Sequence, residues 1–416
     1  MKTSNSAQEH DNNTRKPNVA IIPHIFIEKA SKFHLDELIA LFSPLTNKVF
    51  VITGGQEFSA SGVETIPVYY NSTEGVEIIP IKATARRSLL CKATEHVSYQ
   101  LQILRALAKL REEIDVLVFF LAGIEYPMPL LFAKYLDIEC FAILTNLGNE
   151  KRIRSLKESG DSRKFGELTR RRINTMLERI TCRFSDKLIV YDESMVDQWK
   201  LQRFRKKIVI THRHFIDFDT FRPKNHVEQR DNIVTYVGRL HEDKGVLNLI
   251  KAIPVVLRER DDVKFVLIGD GHLEDEIRRY VDAHALRGSV TLVGWVPHEK
   301  LPDCYTKSKL LVLPSYNEGL PHVMLEAMAC GTPVLATPVG AIGQVIKDRE
   351  TGFINYDNSP ACLAGDILDA LTYPHLRRIA ENARTLVESE YRYESVLERW
   401  KNVIGEGTED DGSAQR

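Results

Sequence analysis

Between Lys309 and Thr337 the chain reads KLLVLPSYNEGLPHVMLEAMACGTPVLAT, and few backbones accommodate that order of residues. Leu310–Leu313 is a short apolar run closed by Pro314, which predicts a strand buried on both faces of a parallel sheet. A polar turn follows, from Ser315 to Gly319. Pro321 is expected just inside a new helix, where its missing N–H is no loss. Met324, Leu325 and Met328 give that helix an apolar face, Gly331 ends it, and Pro333 opens the next strand. The frame holds two carboxylates. Glu318 is expected at the strand's carboxyl end beside the positive end of the helix, and Glu326 about two turns further on. Open α/β sheets bind ligands at that edge.

The rest of the chain repeats the pattern. With 416 residues, 43% of them hydrophobic, it can bury two ordinary cores. A polar tail over residues 1–17 reads as disordered. The first domain is expected over residues 18–223. Strands are predicted near residues 18–24, 48–53, 115–123, 137–145 and 187–191, with one or two short ones between 56 and 80. Helical spacing runs through residues 33–42, 88–110 and 129–135. A charged linker is placed at 224–231 and a second domain at 232–390. A last helix over 391–405 is expected to return to the first domain, followed by a polar tail over 406–416. Strand and helix in alternation imply parallel sheets with helices on both faces.

Charge and cysteine usage narrow the function classes. A net charge of −1 gives no global argument for nucleic acid, and the aromatic interleaving that single strands need is thin. Six cysteines show no metal spacing and read as reduced core residues of a cytoplasmic protein. No apolar run approaches the roughly 18 residues of a membrane span, and no signal-peptide pattern opens the chain. Lysine and arginine concentrate in residues 151–172 and again at Lys200, Arg203, Arg205, Lys206 and Lys207. Two readings of that concentration stay open: a solvated helix face, or a surface for anionic lipid headgroups or a phosphorylated acceptor.

In the second half every predicted strand exits into small or polar residues. Gly238-Arg239-Leu240 and Lys244-Gly245 follow the first of them, next to a helix expected to begin near Lys244. Peptide N–H groups at a helix start favour an anion, and two cations add to that. A guanidinium holds phosphate with two hydrogen bonds, and lysine supplies a point charge. Cations for a diphosphate, with a carboxylate for vicinal hydroxyls on a neighbouring loop, describe a nucleotide-sugar site.

These motifs carry a specific resemblance. Gly238-Arg239-Leu240 with Lys244-Gly245, Gly269-Asp270-Gly271, Val293-Gly294-Trp295-Val296, and Glu318 followed eight positions on by Glu326 resemble family 4 of the retaining glycosyltransferases. His214-Phe215-Ile216-Asp217 with Phe221 and Pro223 is similar to that family's approach to its second domain. The resemblance implies an α/β GT-B fold, two Rossmann-like domains with parallel sheets facing across a cleft. It implies hexosyl transfer from a nucleotide sugar with retained configuration and no metal or other cofactor. Arg239 and Lys244 would bind the donor diphosphate and neutralise the leaving group, with Gly238 alongside. Glu326 would bond the ribose hydroxyls, and Gly294, Trp295 and Val296 would meet the base. Glu318 would contact the sugar, with Gly319, Leu320, Pro321 and His322 near its hydroxyls and phosphate. Catalytic weight falls on Glu318, Arg239 and Lys244.

The acceptor side departs from the family. Where members carry a glycine pair after the first strand, this chain has Pro23, His24 and on to Lys29; where they carry a histidine, it has Leu147 after Asn146. Either His24, Lys29 or Asn146 substitutes, or catalysis is impaired. The expected acceptor is a glycan, a lipid-linked molecule or a small molecule, the first two consistent with a peripheral location on the inner face of a membrane. A soluble transferase making a small glycoside and a donor-binding pseudoenzyme within a glycan-assembly complex are the rival readings. Of the histidines at loops and helix starts, only His322 is retained as a donor-site residue. His241 and His298 read as solvated or locally bonded.

Overall fold

The computed structural model describes residues 15–23, 29–54, 75–81, 89–120, 126–144 and 175–405, with side chains described for these except at 29–33, 54 and 89–95. Residues 1–14 and 406–416 of the two tails, His24, the Lys29 side chain, Asn146, Leu147 and the basic stretch 151–172 lie outside the described residues.

The first sheet is built from β1 (Asn18–Ile22), β2 (Lys48–Gly54), β3 (Val76–Ile81), β4 (Val116–Phe120), β5 (Glu139–Ile143), β6 (Lys187–Val190) and β7 (Ile208–Ile210). They run in the order β3-β2-β1-β4-β5-β6-β7. Val19, Ala20, Ile21 and Ile22 are all buried, so both faces of β1 are covered, as a continuous apolar run in a parallel sheet requires. Tyr99, Ile103 and Leu107, at helical spacing on Leu89–Leu110, meet Ala20, Ile22, Phe50 and Phe119 in one core.

The second sheet contains β8 (Ile233–Val237), β9 (Lys264–Ile268), β10 (Val290–Gly294), β11 (Leu310–Leu313), β12 (Val334–Ala336) and β13 (Phe353–Ile354). Its order is β10-β9-β8-β11-β12-β13, and its pairings are parallel. The chain runs outward from β8 through β9 and β10, then crosses back to β11 on the other side. That reversal makes the gap between the carboxyl ends of β8 and β11 a topological switch point, where open α/β sheets bind ligands. Val246, Leu249, Ile250, Ile253 and Val256 form the buried stripe of the helix Val246–Glu259 and share a core with Tyr236, Phe265, Leu267 and Val312.

Compact units divide the chain into Met1–Ile143, Ile180–Lys187 and Arg399–Arg416 on one hand, and Leu144–Arg179 and Leu188–Glu398 on the other. Within the first unit Trp400, wholly buried, meets Phe42 edge to face at 5.1 Å between ring centroids. Lys187 Nζ donates to the Val403 carbonyl at 2.6 Å.

Several elements differ from the sequence reading. The strands β7 and β13 and the helix Leu301–Lys307 were not anticipated. Pro321 occupies the N-cap of the helix His322–Ala329 and is not its first residue. Lys244 closes a 3-10 turn, Glu242–Lys244, and the α-helix begins two residues later. The charged segment 224–231 is tied in. Val227 and Arg230 are buried, and the Arg230 guanidinium donates to the carbonyls of Asn225, Tyr305, Ser308 and Cys330 and to Thr332 Oγ1 at 2.8–3.3 Å. Burial pulls its pKa down to about 10.

Candidate functional site

The loops leaving β8 and β11 are held together by backbone. Tyr316 N–H donates to the Asp243 carbonyl at 2.8 Å, and Asn248 Nδ2 donates to the Tyr316 hydroxyl at 2.6 Å. Gly245 makes the approach feasible. It has φ +67°, and a Cβ there would stand 1.8 Å from the Pro314 carbonyl oxygen. The Lys-Gly pair and the Pro-Ser turn, 69 residues apart from Gly245 to Pro314, are therefore one packing contact. Gly340 does the same on the other side, with φ +59° and a virtual Cβ 2.1 Å from the Glu318 carbonyl oxygen.

This frame brings Lys244 and Glu318 into direct contact. Lys244 Nζ donates to Glu318 Oε1 at 2.7 Å, with side chains 18% and 12% exposed, and Ser315 Oγ donates to the same oxygen at 2.8 Å. Glu318 thus braces the cation and is not the cap of the following helix, which has no side-chain cap. Arg239 stands free of such burial. Its side chain is 65% exposed, its guanidinium lies 3.7 Å from Asp243, and its carbonyl accepts from the Tyr236 hydroxyl at 2.7 Å. Burial, then the nearby Glu318 and Asp243, push the Tyr236 phenol well above its usual range, so it donates throughout the neutral region. The backbone N–H of Gly238 donates to the Ile268 carbonyl, fixing the start of this loop to β9.

Glu326 is the second anchor. It is 2% exposed, and each carboxyl oxygen has a partner: Tyr305 Oη donates to Oε2 at 2.7 Å, and His298 Nε2 lies 2.6 Å from Oε1. Both partners escaped the sequence reading. The sequence predicts a solvated or locally bonded His298, and Tyr305 belongs to the helix Leu301–Lys307, which it does not predict. The one signal for His298 is its position just after β10, on the same sheet edge as Glu326. His298 brings its own loop with it, so Gly294 (φ +78°), Trp295 and Val296 precede a residue that touches Glu326. Trp295 is 58% exposed. His322 Nδ1 lies 3.8 Å from Glu326 Oε1, and its ring sits 4.6 Å from that of His214. Leu320 and Pro321 are buried, and the Gly319 carbonyl accepts from Ala341 N–H at 2.8 Å.

The second half of the chain thus gathers, at one sheet edge, an exposed guanidinium, a lysine held by a carboxylate, and a second carboxyl group fixed by two donors. Residues 217–386 match the family described as glycosyl transferases group 1. The alpha-D-kanosaminyltransferase of Streptomyces kanamyceticus is 32% identical over 215 residues, 50% of this chain and 56% of that protein. The lipopolysaccharide 1,2-N-acetylglucosaminetransferase of Salmonella typhimurium is 29% identical over 195 residues, 45% of this chain and 51% of that protein. The chain spans about half the length of these curated relatives. Among solved structures, Anabaena HepE in complex with UDP has a TM-score of 0.69 at 14% identity, covering 94% of this chain and all of that one. Sucrose-phosphate synthase from Thermosynechococcus elongatus has a TM-score of 0.70 at 19% identity, covering 94% and 98%. At such identities the likeness is one of fold, the α/β GT-B architecture with two parallel sheets.

Proposed function

We propose that the protein is a retaining glycosyltransferase that moves a hexose-type sugar from a nucleotide-sugar donor to an acceptor. The observation that carries this reading is the Lys244–Glu318 contact at the β8/β11 switch point with the exposed Arg239 beside it. A diphosphate arriving there competes with Glu318 for Lys244, and Arg239 closes on it with a bidentate fork. Glu318, released from the lysine, turns to the sugar hydroxyls. Glu326 takes the ribose hydroxyls, and the Gly294, Trp295 and Val296 segment meets the base. Gly319, Leu320, Pro321 and His322 shape the wall next to the sugar.

Departure of the diphosphate leaves an oxocarbenium-like sugar and a growing negative charge on the leaving oxygen. Two fixed cations stabilise that charge without a resident metal, because they are in place before it develops. Attack from the face the diphosphate leaves retains the configuration without a covalent sugar–protein intermediate. A double displacement would instead need a carboxylate beneath the sugar. UDP is the first nucleotide to test, since HepE, a structural neighbour, was solved with it. Arg203, Arg205 and Lys206 on the exposed turn Gln202–Lys207 favour a lipid-linked or otherwise anionic acceptor at a membrane surface. No helix among the described residues is long and apolar enough to cross a membrane.

The test is a thermal-shift panel of UDP, GDP and ADP on the wild type and on Lys244→Ala. A nucleotide at a hundred times its dissociation constant stabilises by about 2.7 kcal/mol. One nucleotide should shift the wild type and lose most of that shift in the variant. If none shifts the wild type, the donor site is wrongly assigned.

A further inference from the structure

Three ligand-type side chains that the donor site leaves unused converge from two loops of the second sheet. His241 and Glu242 follow β8, and His272 follows β9. One ligand atom from each lies within 4.8 Å of the others. His272 Nε2 is 2.9 Å from the Glu242 carboxylate, and His241 Nδ1 is 3.4 Å from it. A fourth group stands next to them, with Asp243 Oδ1 2.6 Å from His241 Nδ1. The two imidazoles meet edge to face, 4.5 Å between centroids.

Two imidazoles beside two carboxylates suit a divalent transition ion. Magnesium and calcium prefer shells of oxygen alone. Zinc binds nitrogen at about 2.0–2.1 Å and carboxylate oxygen at about 2.0–2.2 Å, which sets neighbouring ligand atoms roughly 3.3 Å apart in a tetrahedron. The two imidazole-to-Glu242 separations, 2.9 and 3.4 Å, bracket that value, and the remaining ligand pair lies within 4.8 Å. The cluster carries two carboxylates, Glu242 and Asp243, whose charge a divalent ion offsets. Arg239, the nearest cation in contact with it, reaches only Asp243, at 3.7 Å.

We propose that His241, Glu242 and His272 form a site for a zinc-type divalent ion, with Asp243 as the adjacent carboxylate. The ion ties the loop after β8 to the loop after β9 and thereby stiffens the segment that carries Arg239 and Lys244. It takes no part in sugar transfer. The ligands are half-buried to exposed, so water completes the shell.

The untagged full chain, stripped with a chelator, is titrated with Zn2+ by calorimetry and with Co2+ for its visible ligand-field band. One ion per chain should bind, at micromolar concentration or below, and millimolar Mg2+ should not compete. His241→Gln and His272→Gln should each weaken binding by at least about tenfold and abolish the cobalt band. His284→Gln removes an exposed histidine that stacks on Tyr280, away from the cluster, and should change nothing. Circular dichroism confirms that each variant folds. The proposal is overturned if the wild type binds no Zn2+ in that range, if binding survives His272→Gln, or if His284→Gln weakens it equally. None of these readouts depends on nucleotide binding.

Discussion

Replacing Tyr305 by phenylalanine deletes one oxygen and leaves the ring in place. That oxygen donates to Glu326 Oε2 at 2.7 Å, and both side chains are buried. A buried acceptor left unpaired costs about 1–3 kcal/mol, more if charged. His298 still holds the other oxygen at 2.6 Å, so the loss is set at about 2 kcal/mol. For a domain of this size each kcal/mol shifts the melting temperature by about 2–4 °C, giving a fall of about 4–8 °C. Burial and the adjacent Glu326 carry the phenol's pKa well above its usual value, so the hydroxyl remains a donor across neutral pH. The phenol itself therefore adds no pH dependence from about pH 6 to pH 9. Combining Tyr305→Phe with Glu326→Gln in a double-mutant cycle, by urea denaturation, should return a coupling of at least about 1 kcal/mol. His298→Ala should cost less, under about 1 kcal/mol, because that ring is 43% exposed and water can take its place. A Tyr305→Phe protein that melts within about 1 °C of the wild type, with coupling below about 0.5 kcal/mol, would refute the reasoning.

Other perturbations follow from the same geometry. Arg230→Ala strands several buried acceptors at once and should lose about 3 kcal/mol or more in urea; Arg230→Lys should not restore it, since an ammonium cannot span the guanidinium's partners. Gly245→Ala should force the β8 and β11 loops apart, lowering both stability and nucleotide affinity, whereas Gly288→Ala, with nothing within 4 Å of the added carbon, should be silent in the same assays. Burial pushes the Cys140 and Cys330 thiols up to about 12, so neither is a thiolate at about pH 8. Iodoacetamide should then label the exposed Cys362 of the native protein and spare both, as read by peptide mapping, and labelling should reach them only on unfolding.

How much of this was legible depended on how local each signal is. Buried parallel strands such as Leu310–Leu313 and Val116–Phe120 announce themselves as unbroken apolar runs, and glycines mark the loops after them. By contrast, β7 is three half-exposed residues behind a basic turn, and Leu301–Lys307 is a polar heptad with a proline, so neither offers a period to read. The same limit applies to the site. Lys244, Glu318 and Glu326 sit in motifs with fixed spacing. The contact between Lys244 and Glu318, by contrast, depends on Gly245 passing the Pro314 carbonyl, a tertiary event. His298 and Tyr305 reach Glu326 across 28 and 21 positions of sequence, and nothing in their neighbourhood signals a carboxyl partner. Arg230 looked like linker charge because its partners are backbone carbonyls, which every sequence has.

Sugar transfer from a nucleotide sugar at the β8/β11 edge is the proposed activity. Its most direct test is turnover of the sugar nucleotide whose base gives the largest thermal shift, on the wild type and on Lys244→Ala. Proton NMR follows the anomeric signal and the freed nucleotide diphosphate, with a panel of glycan, lipid-linked and small-molecule acceptors. The wild type should release the nucleotide and deliver the sugar with its donor configuration kept, and Lys244→Ala should be slower by at least about a hundredfold. A wild type that binds the nucleotide but turns over no donor, or one that yields the inverted anomer, would contradict the account.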